Sequence, residues 1–174
     1  MDANIWGLLL TDAIFSALAA TGFAVISSPP KRAVAVSALL SAVGHSFRYY
    51  LIHVVGLDIA TSTFFASFLI GSMSFLFARL IHCPNEVFTF PSLLPMIPGI
   101  YAYNMFLSLS QFIRADDAAD NIHLIESAFS NGMTAAFVLM ALVLGVSLPV
   151  MMFHRAAFKV MRAPKDIFAR FKRG

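Results

Sequence analysis

Three ionisable residues, Asp12, His45 and Arg48, interrupt stretches that are otherwise apolar enough to cross a bilayer. A charge near the bilayer centre costs at least about 2.5 kcal/mol on insertion scales, so such groups usually face a bundle interior or an aqueous path. In the second apolar stretch Ser37, Ser41, His45, Arg48 and Ile52 follow spacings of four, four, three and four, which places the polar groups on one helical face turned away from lipid. Asp12 lies seven residues in from Ile5, and Arg48 seven in from Val55. At 1.5 Å per residue each is roughly 10 Å deep, so the two opposite charges can pair, with His45 at about 15 Å as the adjacent titratable group. The competing reading has Arg48 snorkelling to the outer headgroups and Asp12 neutralised by a structural partner.

A second unusual segment runs Phe90-Pro91-Ser92-Leu93-Leu94-Pro95-Met96-Ile97-Pro98-Gly99-Ile100-Tyr101-Ala102-Tyr103-Asn104. Each interior proline removes a backbone donor and clashes with the preceding turn, so a helix here should break near Pro98 and Gly99. Carbonyls and N–H groups freed at bilayer depth are tolerated only against protein or a cavity, and transporters hold anionic groups at such breaks. Tyr103 counts to about 15 Å from the outer end at Ile113, level with His45, and Tyr103 and Asn104 are the donors expected beside the break. A kinked packing helix is the plainer alternative.

The elements that must position these residues are helices. With 59% hydrophobic and 12% charged residues in 174, the chain has little length to spare for a soluble domain. Apolar runs at about residues 5–26, 33–55, 59–81, 92–113 and 127–153 are each near the roughly 20 residues that a helical crossing needs. They are continuous rather than alternating, which excludes barrel strands. The expected fold is all-α: a polytopic bundle of five transmembrane helices, the fourth broken at Pro98-Gly99, over residues 1–153, followed by a basic cytoplasmic tail at 154–174.

Ten of the twelve Lys and Arg residues fall on the side of the C-terminus: Lys31, Arg32, Arg79 and seven in the tail. Arg114 stands on the other side amid Asp58, Asp116, Asp117, Asp120 and Glu126, so the N-terminus should lie outside and the C-terminus inside. The second stretch, with His45, Arg48 and His53, is the weakest span. Without it the Lys31-Arg32 loop and the tail would part company, or the acidic loop would face the cytoplasm. The net charge of +3 is thus a topology signal, and a nucleic-acid partner is not expected. One cysteine, Cys83, excludes an internal disulfide, and five scattered histidines have no metal-ligand spacing. With no phosphate loop, nucleophile elbow or paired carboxylates, no enzyme activity, metal or cofactor is expected; His123 and Glu126 read as a solvated pair. Small residues, Ala13 with Ala17 and Ser37 with Ser41, should allow close helix contact.

Gly44-His45-Ser46-Phe47-Arg48, Gly56-Leu57-Asp58-Ile59, Val87-Phe88-Thr89, Leu148-Pro149 and above all Pro95-Met96-Ile97-Pro98-Gly99-Ile100-Tyr101-Ala102-Tyr103 resemble the small, YjjB-type subunit of the threonine/serine exporter (ThrE) family. The resemblance implies a multi-pass protein of the bacterial inner membrane that exports small amino acids or carboxylates, such as threonine, serine or succinate, together with a larger YjjP-type subunit. Homo-oligomers are compatible with it. Asp12, His45, Arg48, Pro98, Gly99, Tyr103 and Asn104 would then line the substrate or proton path. The rival reading is a structural or assembly subunit with no substrate site of its own.

Overall fold

The computed structural model describes the backbone of residues 3–27, 29–114 and 118–161, and the side chains of 5–27, 29–114 and 121–152. The described residues are helical almost throughout: α1 (Ala3–Ile26), α2 (Lys31–Tyr50), α3 (Ile59–Ile81), α4 (Glu86–Leu93), α5 (Gly99–Arg114) and α6 (Ala118–Met161). Among the described residues, only α1, α3 and α6 contain spans long and apolar enough to cross a membrane, at Ile5–Ile26, Ile59–Ile81 and Asn121–Met152. The expected second span is α2 extended by a π-helical turn, Leu51–Val55, and its basic residues lower its hydropathy. The expected fourth span is divided among α4, a 3-10 turn at Leu94–Met96 and α5. The first part of the basic segment continues α6 to Met161, and residues 162–174 lie outside the described residues.

Small residues set the helix contacts. Lipid tails are as apolar as leucine, so helices in a bilayer associate through close packing and hydrogen bonds. On α1 the buried positions are Ser16, Ala20 and Ala24, four apart. They replace the expected Ala13 and Ala17, which lie half-buried beside that line. Ser16 and Ser41 bond reciprocally across the α1–α2 seam: Ser41 Oγ donates to the Ser16 carbonyl (3.0 Å), and Ser16 Oγ to the Ser41 carbonyl (3.4 Å). The π turn closes on Gly56, whose φ of 80° suits glycine. Asp58 then caps α3 by accepting from the Thr61 N–H at 3.0 Å. Hydrogen bonding from Thr61 holds the exposed Asp58 carboxyl below its usual range.

The bundle is built by α2 against α1 and α3, α6 against α3, and α4 against α1, α2 and α3. A core of Leu40, Ile70, Phe88, Leu93, Met96 and Leu142 joins α2, α3, α4, the 3-10 turn and α6. Along α6, Gly145 faces Phe64 and Ser67 while Val146 and Pro149 face Gly71. These two helices are therefore parallel, and Ile59 comes level with about position 136 at 1.5 Å per residue. Met105 lies over Gly132, and Ser108 bonds Ser127 at 3.1 Å, so α5 runs antiparallel to the first part of α6. The two form a hairpin that continues past the ends of α1 to α3 by about 20 Å. At 44 residues, α6 is about 66 Å long, twice the hydrocarbon thickness.

Candidate functional site

Four residues back from Ser16 along α1 is Asp12, and four forward from Ser41 along α2 is His45. The Ser16–Ser41 seam therefore places the two face to face, and Asp12 Oδ2 meets His45 Nδ1 at 2.7 Å. One turn on, Arg48 reaches back so that Nη2 lies 3.4 Å from His45 Nε2, and its Nη1 donates to the Met96 carbonyl at 3.1 Å. A guanidinium has only donors. His45 Nε2 must therefore offer its lone pair, Nδ1 carries the proton, and the ring donates to Asp12. His45 in this tautomer joins α1 to α2, and Arg48 extends the chain of bonds to the start of the non-helical backbone.

Local sequence explains each placement. The 3-10 turn ends at Met96, Ile97 is extended (φ −61°, ψ 131°), and Pro98 cannot donate to the preceding turn, so α5 begins at Gly99. Gly44 lets the break approach α2: a Cβ there would run into Ile70 and the Met96 side chain. On the neighbouring turn Ser46 Oγ donates to the Leu9 carbonyl at 3.2 Å. The Asp12 and His45 side chains are 21% and 16% exposed, so the cluster is shielded and still reachable. Two of the five Arg48 N–H groups are used in these bonds.

Residues 12–152 match the family described as threonine/serine exporter, ThrE. The chain belongs to that family. An uncharacterised protein of Haemophilus influenzae is 34% identical to this ThrE-family chain over 149 residues, covering 84% of the chain and 48% of that protein. The chain spans about half the length of this curated relative. No solved structure matches it. Its long apolar helices fit a membrane protein.

In this ThrE-family chain the structure brings Asp12, His45 and Arg48 together, with one change of partner. Instead of the direct Asp12–Arg48 pair expected from depth, the imidazole stands between them. Counting depth from the span ends missed the register by one turn, because the Ser16–Ser41 seam fixes the pairing and the π turn packs its residues into less length. Pro98 lies outside any helix and Gly99 opens α5. Tyr103 and Asn104 follow on α5, Tyr103 65% exposed and Asn104 half-buried. Tyr101, not singled out from sequence, is instead within electrostatic reach of Arg48. The Met96 carbonyl, the other group missed, is a backbone atom that no residue type announces. His123 and Glu126 form a highly exposed pair at 3.9 Å.

Proposed function

We propose that this chain is the small subunit of a bacterial inner-membrane exporter of threonine and serine, or of small carboxylates such as succinate, acting with a larger YjjP-type membrane subunit. The observation that carries the reading is a charged cluster bonded to the free carbonyl of an interrupted helix. Irregular backbone at membrane depth needs protein or a water-filled cavity around it, and charged groups at helix breaks serve substrate and ion movement in secondary transporters. Asp12, His45, Arg48 and the Pro98-Gly99 break line the path, with Tyr101 in the place first given to Tyr103 and Asn104. The remaining N–H groups of Arg48 suit a substrate carboxylate.

The chain crosses five times, N-terminus outside and C-terminus inside. The fourth crossing is made by α4, the 3-10 turn and the extended Ile97 and Pro98, earlier in the chain than residues 92–113. Three such pieces add up to about 25 Å. A relative of about twice the length supports a second membrane unit of similar size in the working exporter, and copies of this chain can associate within it.

Efflux of labelled threonine, serine and succinate, from cells with this chain and its larger partner, tests the reading. Replacing Pro98 and Gly99 together by alanine should favour a continuous helix, since a Cβ at Gly99 meets nothing. That variant and Arg48→Ala should insert normally and lose export by at least about tenfold, the equivalent of 1.4 kcal/mol. Full export by both would leave the assembly-subunit reading in its place.

A further inference from the structure

We propose that His45 couples the binding of a proton to release of the helix break between α4 and α5. The inference rests on the transport reading for its purpose, and on the hydrogen-bond directions for its mechanism. With Nδ1–H donating to Asp12, His45 has one free lone pair, on Nε2, and Arg48 occupies it. A proton arriving at His45 must go to that nitrogen. The imidazolium is then a donor on both sides, and a donor facing the Arg48 Nη2–H is repelled by geometry and by like charge. Asp12 keeps its bond to Nδ1–H and stays a carboxylate, so the pair it forms with the ring becomes an ion pair. Arg48 alone has to move.

The consequence falls on Met96. The same guanidinium that touches His45 holds the Met96 carbonyl through Nη1, and the two nitrogens belong to one rigid planar fork. Swinging Nη2 away from the ring therefore draws Nη1 off the carbonyl. Protonated His45 and a clamped break are mutually exclusive states, as a device that binds a proton in one conformation and a solute in the other requires. The groups facing His45 and Arg48 are few. Asp12 comes from α1, Arg48 from α2 and Tyr101 from α5. The buried residues of α3 include no ionisable side chain, and the only charged residue of α4, Glu86, is exposed at its far end. His53, in the π turn, is exposed and stacked on Tyr49.

The test uses the full chain in lipid nanodiscs with Cys83 replaced by serine. Spin labels go at Leu10 on α1 and Ile100 on α5, both exposed. Moving from about pH 8 to about pH 5 should change the label separation by at least about 2 Å. His45→Gln, which can donate to Asp12 and accept from Arg48 without taking a proton, should hold the high-pH distance throughout. A distance that ignores pH in the wild type, or that shifts equally in His45→Gln, overturns the proposal. Should that variant fail to fold, nitrogen NMR of wild-type His45 decides: protonation on Nδ1 alone at high pH is expected, and an Nε2–H tautomer there overturns it. Since neither readout involves substrate, a normal distance shift with no efflux would sink the exporter reading, and efflux without a shift would sink the coupling.

Discussion

Removing His45 strands two opposite charges at once. In His45→Ala, Asp12 loses its 2.7 Å donor and Arg48 loses an acceptor. Unpairing a buried ion costs several kcal/mol; with side chains still 16–21% exposed, about 1–3 kcal/mol is expected here. Asp12→Asn should be milder, because an amide oxygen can still accept from Nδ1. The double substitution should cost less than the sum of the two singles, since the carboxylate that His45→Ala strands is gone. Thermal unfolding in detergent measures all three, and strict additivity would show that Asp12 and His45 do not depend on each other.

Between α3 and α6 the contact is made by backbone approach. A Cβ on Gly145 would meet both Ser67 Oγ and the Phe64 carbonyl, and Ser67 Oγ also lies 3.4 Å from the Ala141 carbonyl. Side-chain ends can shift, whereas a carbonyl inside a helix cannot do so without moving the helix. Gly145→Ala should therefore destabilise by about 1–3 kcal/mol through overpacking. Gly22→Ala on α1, where a Cβ meets nothing, should be neutral or stabilising by up to about 1 kcal/mol through helix propensity. Equal melting temperatures for the two variants in the same detergent would contradict the close α3–α6 packing.

Apolar surface extends over more height than a bilayer can cover. From the inner ends of α1 and α3 to the tip of the α5–α6 hairpin is over about 50 Å, against a hydrocarbon core of about 30 Å. The register along α6 carries the basic positions Arg155 and Lys159 down to the level of Arg79, with Lys31 and Arg32 at the start of α2 nearby. In the proposed orientation that common level lies at the inner surface. In that orientation the hairpin, with Phe106, Ile113, Ile122 and Phe129 exposed, would stand at and beyond the outer surface. In a Cys83-free background, cysteine at Ser110 should label from outside and cysteine at Ser27 from inside with a membrane-impermeant reagent. Exchanged labelling would reverse the orientation, and labelling of both from one side would overturn the placement of the hairpin.

Local chemistry made much of this protein legible from its residues. Run length and composition gave α1, α3 and α6 as long apolar helices. The spacing of Ser37, Ser41, His45 and Arg48 gave one polar face on α2, and Pro95 with Pro98 gave an interrupted backbone before Gly99. Each depends only on near neighbours in the chain. Tertiary structure decided the rest: that Asp12 meets His45 and not Arg48, that Ser16, Ala20 and Ala24 form the α1 seam, that Tyr101 and not Tyr103 stands near the guanidinium, and that α5 lies against α6 beyond the other helices. Those are matters of register between separated helices, where sliding one turn, about 5.4 Å, exchanges every partner while leaving each helix as stable as before. Contacts between elements, among them the reciprocal Ser16–Ser41 bonds and the close α3–α6 approach, choose among such slides, and no single helix contains that information.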